Sequence, residues 1–158
     1  MKRFSKTTAM ASLALTVVVV GGASLVNAHG GAKGVVKERM DLMKGMADAM
    51  KVMGPMFKGE APFQPEIVAE KAAYLAEHAD KIPHLTPEGS NEHPSEALPA
   101  IWQDWDRYVA DATLLGEEGA KLVAIAKNGA DLDETRAQFV KVSKTCGTCH
   151  DDFRKPKE

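Results

Sequence analysis

Asp131-Leu132-Asp133-Glu134-Thr135-Arg136-Ala137-Gln138-Phe139-Val140-Lys141-Val142-Ser143-Lys144-Thr145-Cys146-Gly147-Thr148-Cys149-His150-Asp151-Asp152-Phe153 reads as one helix with a marked start. Asp131 is placed to cap the first turn, with Glu134 three residues on completing a capping-box-like pair. Phe139, Val142, Cys146, Cys149 and Phe153 then recur at intervals of three and four, the spacing of one helix face. Pro156 ends the helix. Both cysteines therefore lie on the inward stripe of the last helix.

Within that stripe, Cys146-Gly147-Thr148-Cys149-His150 is Cys-x-x-Cys-His, the attachment signature of a c-type haem. Thiols three residues apart share a helix face, so both sulfurs can reach the two vinyl groups on one edge of a porphyrin. His150 follows directly and lies four residues from Cys146, where its imidazole can swing under the ring and bind iron. A lone Cys-x-x-Cys can also be a redox dithiol, a disulfide or half a zinc site. The chain has only these two cysteines, and only His150 stands beside them as a further zinc ligand. Nothing reads as the strand that a thioredoxin-like frame requires, so haem attachment is the preferred reading.

Working back along the chain, residues 100–127 read as a third helix, with Trp102, Trp105, Val109, Ala112, Leu115, Leu122 and Ile125 on its buried side. Gly116 and Gly119 look like soft spots in its middle, and Asn128-Gly129 is a stop. Residues 83–99 hold Pro83, Pro87, Pro94 and Pro99 and form a long irregular crossover, expected to pack on the protein rather than hang free. Pro65 opens the second helix, Pro83 is expected to stop it, and Ile67, Ala72, Tyr74, Leu75, Ala79 and Ile82 supply its apolar face. Residues 35–56 read as the first helix, on the stripe Val36, Arg39, Met43, Met46, Met50, Met53 and Phe57. Gly54-Pro55 weakens its end, and residues 58–62 form a loop. Together these predict an all-α antiparallel four-helix bundle with a long loop between helices 2 and 3.

The N-terminus reads as a secretory signal over residues 1–28: Lys2, Arg3 and Lys6, then a mostly apolar run, then Val26-Asn27-Ala28 at the cleavage site. The mature domain is then residues 29–158, periplasmic, and free of the membrane after cleavage. Such a compartment suits covalent haem attachment. The chain has 20 Lys and Arg against 22 Asp and Glu; without Lys2, Arg3 and Lys6, 17 remain against 22, a net charge of about −5. That balance argues against nucleic acid and anionic membranes as partners.

The layout resembles the class II cytochromes c, meaning cytochrome c′ and its low-spin relatives. The resemblance rests on the C-terminal position of Cys-x-x-Cys-His and on the tail Cys149-His150-Asp151-Asp152-Phe153-Arg154-Lys155. Lys58-Gly59-Glu60-Ala61-Pro62-Phe63, Ile101-Trp102 and the Arg39, Met43 frame of the first helix carry the rest. It implies one haem c with its iron per chain, thioethers at Cys146 and Cys149, and His150 as proximal ligand. It places Arg39 near a haem propionate, Arg154 one turn after the proximal histidine, and Met43 at the distal position. In low-spin members a methionine there binds iron; in cytochrome c′ the position holds an apolar residue, sometimes a methionine, that does not.

The residues themselves leave alternatives. From the stripe alone, any one methionine reads as core, since methionine fills gaps well. The resemblance singles out Met43 as sixth ligand, with Met46 and Met40 next. Arg39 on an apolar stripe needs a partner, either a propionate or solvent at the bundle end. Arg154 either tunes the imidazole or complements the helix dipole. Trp102, Trp105 and Phe153 can wall the haem and fill the core at once. His29, His78, His84 and His93 read as solvent-facing or loop residues, and Asp104, Asp106 and Asp111 as a solvated helix face.

The expectation is a one-electron carrier with His150 and Met43 as axial ligands, meeting redox proteins through small transient interfaces. The alternative is a five-coordinate haem protein binding nitric oxide or carbon monoxide. An enzyme such as a peroxidase ranks last, because a methionine-rich distal stripe offers no acid–base group. Family members pair through their first two helices in some cases, and a homodimer of this chain is left open.

Overall fold

The computed structural model describes residues 31–156; the export signal expected over residues 1–28 and its cleavage after Ala28 lie outside them. Six helical segments follow in order: α1 (Gly34–Lys58), α2 (Pro65–His78), α3 (Lys81–His84), α4 (Ala100–Gln103), α5 (Trp105–Lys127) and α6 (Leu132–Phe153). No strand occurs among the described residues, and the four long helices form the expected bundle. α2 packs chiefly on α5, α5 on α6 and α1 on α2.

The periodic stripes account for the core. From α1 come Leu42, Met46, Ala49, Met53, Met56 and Phe57; from α2, Val68, Ala69, Ala72 and Leu75. α5 adds Tyr108, Ala112, Leu115, Leu122 and Ala126, and α6 adds Val142 and Phe153. Fully burying a side chain such as Leu75 or Leu122 contributes about 1.5–3 kcal/mol. α2 and α5 approach closely where Gly116 and Gly119 face Ala76 and Ala79. The two glycines are thus contact points of an unbroken helix rather than soft spots within it.

Element ends differ from expectation in ways that have local causes. α1 runs through Pro55 to Lys58 and is closed by Gly59 in the left-handed region (φ 77°). Glu60 N–H donates to Pro55 O at 2.9 Å, so the final turn is satisfied despite the missing proline donor. The second helix ends at His78, not at Pro83; Pro83 lies in the first turn of α3, where its lack of an N–H costs nothing. The third helix is two pieces. Asp104 (φ −133°, ψ 56°) ends α4 by donating to Ala100 O and starts α5 by accepting from Tyr108 N–H. Aspartate tolerates such a break better than most residues. At α6 the expected cap is present: Asp131 Oδ1 accepts from Asp133 N–H at 3.0 Å and Glu134 N–H at 2.9 Å.

The crossover packs on the bundle, as expected. Thr86, Ser90 and Ser95 are buried. Its far end is sewn to the end of α6: Leu98 N–H donates to Phe153 O at 3.0 Å and Lys155 N–H to Glu96 O at 2.8 Å. That pairing turns the chain into extended backbone at Arg154, so the helix stops before Pro156 is reached.

Candidate haem-attachment site

Residues from α1, the crossover, α5 and α6 meet at one end of the bundle. α6 places Cys146 and Cys149 half-buried against the core, three residues apart on one face, as the spacing predicted. No disulfide joins them. Burial pushes the Cys146 thiol up, and pushes Cys149 up to about 12, with Asp111 adding to the effect. A thiol held protonated in an apolar setting is a poor redox nucleophile, which counts against the dithiol reading. No group of three or more His, Cys, Asp and Glu side chains that could hold a metal ion is gathered among the described residues, so the half-zinc reading gains no further ligands.

His150 lies in the last turn of α6, exposed, on the turn that follows Cys149. Its carbonyl accepts from Arg154 N–H at 3.2 Å. The Arg154 guanidinium is turned to the crossover, where Nε donates to Glu96 Oε2 at 2.6 Å. Arg107 of α5 pairs with Asp152 and lies over the Phe153 ring, 5.8 Å from its centre.

Arg39, one turn before Met43 on α1, is buried. It fans into the crossover: Nη1 donates to Leu85 O and Ser90 Oγ, both at 2.8 Å, and Nη2 to Ser90 O and to Ser95 Oγ at 2.8 Å. The sequence reading missed this role, because the acceptors lie 46 to 56 residues away. All four acceptors are neutral, and burial lowers the guanidinium pKa. The cation is therefore held by dipoles alone and would gain from an anionic neighbour. Met43 is half-buried on the same face; Met46, Met53 and Met56 are buried, and Met40 and Met50 half-buried.

Tyr108 of α5 is a central residue that the sequence reading missed. It is buried, its ring meets Phe153 edge-on at 5.3 Å, and its hydroxyl is 3.0 Å from Thr86 Oγ1. Thr86 gives its single hydroxyl proton to Ile82 O, so Tyr108 donates to Thr86. The signal was available: Tyr108, Ala112, Leu115, Leu122 and Ala126 keep helical spacing better than a stripe through Val109.

Asp111 is not part of a solvated face. It is half-buried, faces the Cys149 side of α6, and its Oδ2 is buried without a hydrogen-bond partner. Desolvation pushes its carboxyl up, against the pull of Arg107. His78 is also half-buried rather than solvent-facing, stacked on Tyr74 at 4.2 Å. Trp102 packs against the core and Trp105 is 37% exposed; both line a surface cavity.

A porphyrin fits these residues on three counts. Two half-buried thiols share a face, a buried guanidinium has only neutral partners, and half-buried Met43, Leu85, Trp102 and Phe139 pack against the same core as the thiols.

Comparison with known proteins points the same way. The family model described as Cytochrome C′ matches residues 34–154. Cytochrome c-554 of Cereibacter sphaeroides is 33% identical over 147 residues, covering 90% of this chain and 95% of that one. The structure of cytochrome c′ from Rhodopseudomonas palustris superposes with a TM-score of 0.74 at 30% identity, covering 80% of this chain and all of that one. A nitric oxide complex of a mutant cytochrome c′ from Alcaligenes xylosoxidans superposes with a TM-score of 0.69 at 30% identity, covering 77% and 94%.

Proposed function

The chain belongs to the cytochrome c′ family, and from that premise we propose that it is a haem protein that binds small diatomic molecules such as nitric oxide at an iron held by His150. It carries one covalently attached haem c, with its iron, per chain. That group, when bound, supplies an iron centre able to take up one electron or one diatomic ligand. Cys146 and Cys149, on the inward stripe of α6, would hold it by two thioethers. His150, directly after Cys149, would supply the imidazole ligand to its iron. Arg39 supplies a positive charge for a propionate while its Nη atoms hold the crossover. Arg154, held by Glu96, steadies the last turn behind the imidazole. Met43, half-buried on α1, would be the residue facing the open side of the iron.

The observation that carries this reading is the similarity of the whole helical body to cytochrome c′ structures, one of them a nitric oxide complex. A second reading, a His150- and Met43-ligated electron carrier, is favoured by the place of Met43. It is half-buried one turn along α1 from Arg39, where its thioether would favour reduced iron and raise the potential. Spectra separate the two. The proposal expects a broad high-spin spectrum of the reduced protein that shifts on adding carbon monoxide, and a resting spectrum that Met43→Ala leaves high-spin. A sharp low-spin α band, unresponsive to carbon monoxide and lost in Met43→Ala, would establish the second reading instead.

The remaining parts of the proposal follow from the chemistry. A distal side built on methionine offers no acid–base group, so the protein acts as a binder rather than an enzyme. No described helix is long and apolar enough to cross a membrane. The sequence of residues 1–28, which reads as an export signal, and covalent haem attachment both support a periplasmic mature protein, which would exchange electrons with redox proteins through small transient contacts. Whether it pairs with a second copy is read from its mass in solution.

A further inference from the structure

A cavity of about 400 Å³ opens on the surface where α3, the start of the crossover and the α4–α5 junction meet, lined by Pro83, Thr86, Pro87, Glu88, Trp102 and Trp105. Its size falls in the range of small-ligand sites. Its chemistry is one-sided. Pro83 and Pro87 have no N–H. Thr86 gives its amide hydrogen to Pro83 O at 2.9 Å and its hydroxyl hydrogen to Ile82 O at 2.8 Å. Trp102 gives its indole N–H to Thr86 O at 3.2 Å, which fixes the ring and leaves its π surface as what it can offer. Trp105 is 37% exposed, backed by Tyr108 at 5.7 Å between ring centres. The charged group on the lining is the Glu88 carboxylate. Asp104 and Asp106 flank Trp105 in the chain.

Two indoles and a carboxylate repel anions, and with the polar hydrogens of Thr86 and Trp102 committed the Trp105 indole N–H is the side-chain donor left to the lining. They suit a cation that carries methyl groups instead of N–H donors, attracted to the ring faces and to the carboxylate together. We propose that this cavity binds a quaternary methylammonium group, with Trp102 and Trp105 as its walls and Glu88 as its counter-charge. The lining contains none of Cys146, Cys149, His150, Arg39 and Met43, and the proposal does not depend on which small ligand, if any, the iron takes.

Isothermal titration of the haem-loaded protein with choline, tetramethylammonium and 3,3-dimethylbutanol (the uncharged analogue of choline) tests it. Saturable one-to-one binding of choline and tetramethylammonium is expected, with the alcohol at least about fivefold weaker. Trp105→Ala and Glu88→Gln each weaken choline by about fivefold or more, with the haem spectrum unchanged as proof of a folded protein. No saturable heat at tens of millimolar ligand, an alcohol that binds as well as choline, or unaltered binding in both variants would each overturn the proposal. A parallel sedimentation with phosphatidylcholine vesicles identifies the source of the group: choline binding without co-sedimentation assigns a free solute, and co-sedimentation that choline competes away assigns a lipid headgroup.

Discussion

Tyr108, Thr86 and Asp111 show how much a single polar atom decides at the attachment end of the bundle. Because Tyr108 donates to Thr86 and Thr86 donates to Ile82 O, the two ends of the chain are not equivalent. Tyr108→Phe leaves Thr86 with a partner and should cost about 0.5–1.5 kcal/mol in denaturant unfolding. Thr86→Val strands a buried tyrosine hydroxyl and should cost more, about 1–3 kcal/mol. Equal losses would contradict the direction of the bond. Asp111 makes a pH prediction. Its folded pKa is raised, chiefly by desolvation, so its contribution to stability is fully present below its unfolded pKa and lost as pH rises through the folded one. Asp111→Asn should therefore raise the melting temperature at neutral pH, and the advantage should vanish as pH falls to about 4 and below. An advantage that grows toward acid would mean the carboxylate is stabilising. The cysteines and His150 were legible at this scale because covalent attachment demands a fixed short spacing. Asp111 was not, because its neighbours Asp104 and Asp106 made the whole face look wet.

At the scale of elements, two glycines one turn apart in α5 make opposite predictions. A Cβ at Gly116 would meet Ala79 Cβ at 3.4 Å, an ordinary contact. Gly116→Ala should then stabilise by about 0.5–1 kcal/mol through helix propensity alone. A Cβ at Gly119 would lie 3.1 Å from Ala76 N, a backbone atom that cannot swing aside. Gly119→Ala should destabilise by about 1–2 kcal/mol despite the same propensity gain. Thermal unfolding of both variants checks the pair, and a gain at Gly119 would mean that α2 and α5 are not in close contact there. The sequence marked both glycines but not their meaning, since a weak helix former and a helix–helix contact look alike in one chain. The same limit explains the missed break at Asp104: apolar periodicity continues across it, while the kink is a matter of one residue's backbone angles.

For the whole molecule, the four apolar stripes made the bundle legible, because each long helix has to bury one face and three or four residues per turn repeat in the sequence. The crossover was legible only as a segment that must pack. What it packs against, Arg39 and the end of α6, depends on contacts between residues far apart in the chain, which no local spacing records. That architecture brings the α1 guanidinium, the crossover, Tyr108 and the α6 thiols to one end of the bundle, and the account depends on a porphyrin being fastened there through Cys146 and Cys149. The most direct test is the intact mass, under denaturing conditions, of protein exported in a haem-attaching host. The account predicts the mature chain plus one haem and no alkylation at either cysteine. A colourless protein at the bare chain mass, with both cysteines alkylated, would contradict it.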